Sequence, residues 1–139
     1  MMNIFRSFVL AFCIFISFFG ERRSFNMTAN EMFTEKFNEY NKLYFNGELG
    51  KCRFYFLGKE CGLLGKYLYY DDNGKNESRI GIKRNIDDFD VKLKSTLIHE
   101  MVHMYVTTIE GVKHDGLFGH GRRFRKHKRR LKKEFRILI

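Results

Sequence analysis

Ser95-Thr-Leu-Ile-His-Glu-Met-Val-His-Met-Tyr-Val106 contains the pattern His-Glu-x-x-His, formed by His99, Glu100 and His103. Residues four apart on an α-helix lie one turn above each other on the same face, so both imidazoles can address one ion. Neutral imidazole nitrogens suit a borderline-soft metal such as zinc, and a neighbouring carboxylate can take a proton from water that the metal activates. The chemistry implied is hydrolytic. Leu97, Ile98, Met101, Val102, Met104, Tyr105 and Ile109 recur at helical spacing around the pattern, and Asp88 and Asp90 stand where they can cap or charge the helix start. Such apolar flanks predict a buried helix, where an unpaired His or Glu would be costly. A surface helix with solvated side chains fits the pattern less well.

Toward the carboxyl end, the helix is expected to stop at Gly111, and a catalytic zinc site needs a third protein ligand, with the fourth position left open. Glu110 lies about two turns beyond His103, too far to share the ion. His114 and His120 remain. His120 stands between Gly119 and Gly121, which let the backbone bend and approach closely, so spacing favours it over His114. Asp115 can either orient a ligand imidazole or cap the loop. From Arg122 to Arg136 the pattern is a basic amphipathic helix with Phe124, Leu131 and Phe135 as its apolar stripe. Its cations include Arg122, Arg123, Arg125, Lys126, Arg129, Arg130 and Lys133, and an anionic polymer would relieve their mutual repulsion by counterion release. A solvated helix with incidental charge is the plainer alternative.

Toward the amino end come three short β-rich runs, Arg53 to Leu57, Lys66 to Tyr70 and Ser78 to Lys83, the last two joined by the turn Asp71-Asp-Asn-Gly74. A small, mostly antiparallel three-stranded sheet is expected. Ahead of it, Thr28-Ala-Asn-Glu31 forms a capping box for a helix whose Phe33, Phe37, Tyr40 and Tyr44 make an aromatic stripe and which Asn46-Gly47 closes. The order is therefore helix, small sheet, helix, helix, an α+β class.

Residues 1–27 are ambiguous. Arg6 and the apolar run from Ser7 to Gly20 have the shape of an export signal or anchor, yet the run is short for a bilayer and lacks a small-x-small cleavage site. Three readings stand: a signal or anchor, a buried helix, and an extension upstream of a start at Met27. We take residues 1–26 as an extension and 27–139 as one domain. A cytoplasmic location is expected, with export or anchorage through residues 4–20 as the alternative and a membrane partner only in that case.

The whole chain of 139 residues has room for one core, and with sixteen Phe, seven Tyr and no Trp that core should be built on Phe and Tyr. A formal net charge of +10 favours an anionic partner. Cys13, Cys52 and Cys61 show no metal-binding spacing, and a Cys52–Cys61 bridge is conceivable only in an exported protein.

Taken together, these residues resemble the SprT-like zinc metalloproteases, a group that includes the DNA-protein crosslink protease Spartan. The resemblance covers roughly Met32 to Leu131: an opening helix and the turn Tyr44-Phe-Asn-Gly-Glu-Leu49, short strands, the His99 to His103 helix, and Gly119-His-Gly-Arg-Arg-Phe124. The pairing of the last two motifs makes it specific. It implies a zincin-like minimal protease domain holding one zinc ion on His99, His103 and His120, with Glu100 as catalytic acid and base, which decides for His120 over His114. The expected function is a zinc-dependent endopeptidase, a monomer acting on protein substrates, some of them DNA-associated, with DNA held by the basic helix. Substrate backbone would pair with an exposed sheet edge, for which the Ser78 to Lys83 strand is the candidate. Two other readings are a nucleic-acid-binding module with a structural zinc and an exported or membrane-anchored metalloprotease.

Overall fold

The computed structural model describes residues 28–84 and 89–139. The apolar run, its division from the domain at Met27, Cys13 and Asp88 lie outside the described residues, as does the side chain of Asp90. The elements are helix α1 (Ala29–Tyr44), strands β1 (Cys52–Leu57), β2 (Gly65–Asp72) and β3 (Lys75–Lys83), helix α2 (Phe89–Thr108), a short 3-10 turn (Leu117–Gly119) and helix α3 (Arg122–Phe135). The α+β order expected from the sequence is present.

Helix α1 starts as its capping box requires: Thr28 Oγ1 accepts from Glu31 N–H and Glu31 Oε2 accepts from Thr28 N–H. Its aromatic stripe buries Phe33, Phe37 and Tyr40. Phe33 and Phe37 pack on Phe54 at ring-centroid distances of 6.1 and 5.5 Å, fixing the helix against β1. Asn41 then closes the following turn, donating to the Leu49 carbonyl and accepting from its N–H at 2.9 and 3.1 Å.

The sheet order is β1-β3-β2, and β3 pairs antiparallel with β2 but parallel with β1. The sheet is thus mixed rather than mostly antiparallel. Only the β2–β3 pairing is dictated locally, by a hairpin whose tip, Asn73 and Gly74, takes the two positive φ values of 49° and 81° that a type I′ turn demands. This order also corrects the expected docking edge. Ser78 to Lys83 belongs to the central strand, with its backbone groups used on both sides, while the outer edges belong to β1 and β2. On the β1 side, Asn30 Oδ1 accepts from Phe54 N–H at 3.2 Å, so helix α1 engages that edge.

Ile80 and Ile82 of β3 face helix α2, whose Leu93, Leu97, Ile98, Met101, Val102 and Met104 are almost wholly buried. Full burial of each such side chain contributes about 1.5–3 kcal/mol, which makes α2 the centre of the core. The helix ends at Thr108, so Ile109 lies just beyond it, 43% exposed, and Gly111 turns the chain with φ of 70°. Helix α3 buries Phe124, His127 and Leu131 against α2. Phe135 stays at the rim, edge-to-face with Tyr44 at 5.0 Å. Cys52 and Cys61 are free thiols, and burial pushes the Cys52 thiol up to about 12. Among the described residues no helix is long and apolar enough to cross a membrane.

Candidate metal centre

Helix α2 sets His99 and His103 one turn apart with their Nε2 atoms 3.2 Å from each other. His120 follows the 3-10 turn and brings its Nε2 to 3.0 Å from that of His99 and 3.1 Å from that of His103. The three nitrogens form a nearly equilateral triangle. Nitrogens held about 2.0–2.1 Å from one tetrahedral zinc would stand about 3.3 Å apart, so the donor set fits such an ion. The cluster of His99, His103 and His120 could hold a metal ion.

Close backbone approach makes the triangle possible. A Cβ on Gly119 would sit 3.2 Å from His103 Cε1 and Nδ1, and its φ of 75° also favours glycine. A Cβ on Gly121 would meet the backbone of Asp115 at 2.5 Å. The flanking glycines thus do what their positions suggested. Asp115 takes the capping role of its two expected ones: its carboxylate oxygens accept from Arg123 and Phe124 N–H at 3.2 and 2.7 Å, in the first turn of α3. His114 borders the same cleft but stands outside the donor cluster. Glu110 lies beyond the end of α2 and is engaged elsewhere, 2.8 Å from His127 Nε2 and 3.6 Å from Arg123 Nη1.

From the sequence, Phe124 is part of the apolar stripe and the end of the segment from Gly119, with no role at the site, yet its ring lies 4.8, 4.5 and 4.6 Å from those of His99, His103 and His120. One buried aromatic side chain therefore supports all three imidazoles. Burial, chiefly, holds His99 and His103 down to about 4, and the neighbouring imidazoles add to the effect. Both rings are then neutral at pH 7, the form that ligates metal.

Glu100 is 6% exposed and its carboxyl is pushed up to about 7 by burial, opposed by a hydrogen bond from the backbone of Tyr67 in β2. Gly65 had no sequence signal of its own. A Cβ there would stand 2.6 Å from Thr96 Cγ2 and 2.8 Å from Glu100 Oε1, so the start of β2 presses directly on this carboxylate. His99, Glu100, His103 and His120 border a cleft of about 770 Å³. One wall is β2 with its leading loop, the other the segment 112–120. Lys113 Nζ reaches Asp71 Oδ2 at 3.0 Å and joins the two walls.

The cations expected to hold nucleic acid divide in two. Arg122, Arg125, Lys126, Arg129 and Lys133 are exposed on α3. Arg123 faces Glu110, and Arg130 is half-buried, donating to the Tyr44 carbonyl at 2.9 Å and lying 3.7 Å from Glu134. These last two also bind the helix to its own fold.

An α+β domain with a three-histidine cluster built on a central buried helix is the class that fold and site define. The model of the SprT-like family matches residues 33–139, and the chain belongs to that family. No curated protein matched it.

Proposed function

We propose that the protein is a zinc-dependent endopeptidase, and the observation that carries this reading is the convergence of three imidazole nitrogens beside the buried carboxyl of Glu100. His99, His103 and His120 would hold the ion. A bound zinc supplies Lewis acidity, lowering the pKa of water and polarising a carbonyl. Glu100 takes a proton from the attacking water as its oxygen bonds to the peptide carbon. The same carboxyl then gives that proton to the leaving nitrogen as the C–N bond breaks, and the second proton of the water passes from the new carboxyl to the amine, yielding a carboxylate and an ammonium group. Burial favours the protonated form of this carboxyl, which suits a group that must hold the proton between the two halves of that exchange. Substrate backbone would lie along the outer edge of β2, which borders the cleft, in place of the central strand.

Family membership supports a metallopeptidase, and the exposed cations Arg122, Arg125, Lys126, Arg129 and Lys133 support a DNA-associated substrate. Those cations also favour a second reading, a nucleic-acid-binding module with a structural zinc. A structural site closes with four protein ligands, whereas the cluster among the described residues has three. Elemental analysis combined with casein cleavage, with and without single-stranded DNA, separates the two. We expect one zinc per chain, lost in His120→Ala and kept in His114→Ala. Glu100→Gln should keep the metal and lower cleavage by about 100-fold or more. An active Glu100→Gln variant refutes the role of that carboxyl, and zinc with DNA binding but no cleavage favours the binding module.

A further inference from the structure

Exposed apolar side chains stand on, or next to, both walls of the cleft. Leu117 and Phe118 are 80% and 86% exposed, while Leu63 and Leu64 are 53% and 46% exposed. Leu63 borders the cleft from the loop leading into β2, and Phe118 borders it from the segment that ends in His120. A backbone hydrogen bond anchors one residue of each pair. The Leu64 carbonyl accepts from Lys83 N–H of β3 at 2.8 Å, and the Leu117 carbonyl accepts from His120 N–H at 3.2 Å. Phe118 moreover adopts φ of 55°, a left-handed conformation that is costly for a bulky side chain, between Gly116 and Gly119, which are left-handed too. Among the described residues the ring packs on little, so nothing there offsets that cost. An apolar side chain entering the cleft would.

We infer that Leu63 and Phe118, on opposite walls of the cleft, form a two-sided apolar clamp that selects extended polypeptide segments carrying large apolar side chains beside the scissile bond. The occupant is therefore unfolded chain, since such side chains are buried in folded proteins. This rests on the endopeptidase reading for the direction of the backbone through the cleft.

The test uses the full-length Glu100→Gln protein loaded with zinc and two fluorescein-labelled peptides of equal length and charge, one with a central Leu-Phe pair and one with Ser-Ser. Fluorescence anisotropy should show about tenfold or more tighter binding of the Leu-Phe peptide, the scale expected for burying two large apolar side chains. Adding Leu63→Ser and Phe118→Ser should bring the two affinities within about twofold at unchanged zinc content. Equal affinities for the two peptides in the parent, or a preference that survives both substitutions, overturns the clamp. The readout is binding alone, so discrimination without any cleavage by the wild-type protein would sink the endopeptidase reading and leave the clamp standing.

Discussion

Gly65 carries no side chain, and Glu100 and Thr96 occupy the room that one would need. Adding a methyl group there forces the Glu100 carboxylate aside, because a Cβ would come within 2.8 Å of its Oε1. Gly65→Ala should therefore lower kcat by about tenfold or more while zinc content stays at the wild-type level, a split visible by pairing kinetics with elemental analysis. Loss of metal in that variant would mean that the strand, rather than the carboxylate, had moved. His99, Glu100 and His103 were legible in the sequence because four-residue spacing on a helix is a local property. His120 was favoured by its glycines and decided only by a family resemblance. Gly65, the Phe124 support beneath three rings and the Glu110–His127 contact were not legible. Each joins residues far apart in sequence, and no periodicity reports such a meeting.

At the level of elements, the caps and the hairpin could be read while the order of the strands could not. Thr28 with Glu31 and Asn73 with Gly74 act on their own neighbours, but nothing local tells β1 to dock in parallel on the far side of β3. The consequence reaches function, since that docking makes β3 central and leaves β2 as the edge at the cleft. The start of α3 depends on a cap from outside the helix. Asp115→Ala removes the acceptor for Arg123 and Phe124 N–H and should cost about 1–2 kcal/mol of stability. Because the same turn leads out of His120, zinc affinity should fall with it. Asp115→Asn, which keeps an acceptor oxygen, should recover much of the loss in thermal unfolding. Equal stability of wild type and Asp115→Ala would show the cap to be idle.

For the molecule as a whole, the metal-free protein should weaken in mild acid. His99 and His103 titrate near 4 when folded and near 6.5 in an unperturbed chain. Between those limits the unfolded chain takes up protons that the folded one refuses, so stability falls as pH drops from 6.5 to 4. Glu100 works the other way between about 7 and 4.5, where its folded carboxyl binds a proton earlier than the unfolded one does. Two rings outweigh one carboxyl. The Tm of metal-free protein should thus decrease across that window, and His103→Asn should flatten the decrease. A Tm that holds or rises on acidification would contradict the neutrality of the buried rings.

His103 and His120 stand seventeen residues apart, and an ion shared between them turns the intervening chain into a closed ring. In the language of polymer loops, such a closure removes freedom worth about 3 kcal/mol from the open chain. The ring contains Lys113 and Phe118, from the far wall of the cleft. The ion would therefore be a clasp as well as a reagent: whatever tightens its hold also stiffens the wall, and whatever grips the wall would in turn retain the ion.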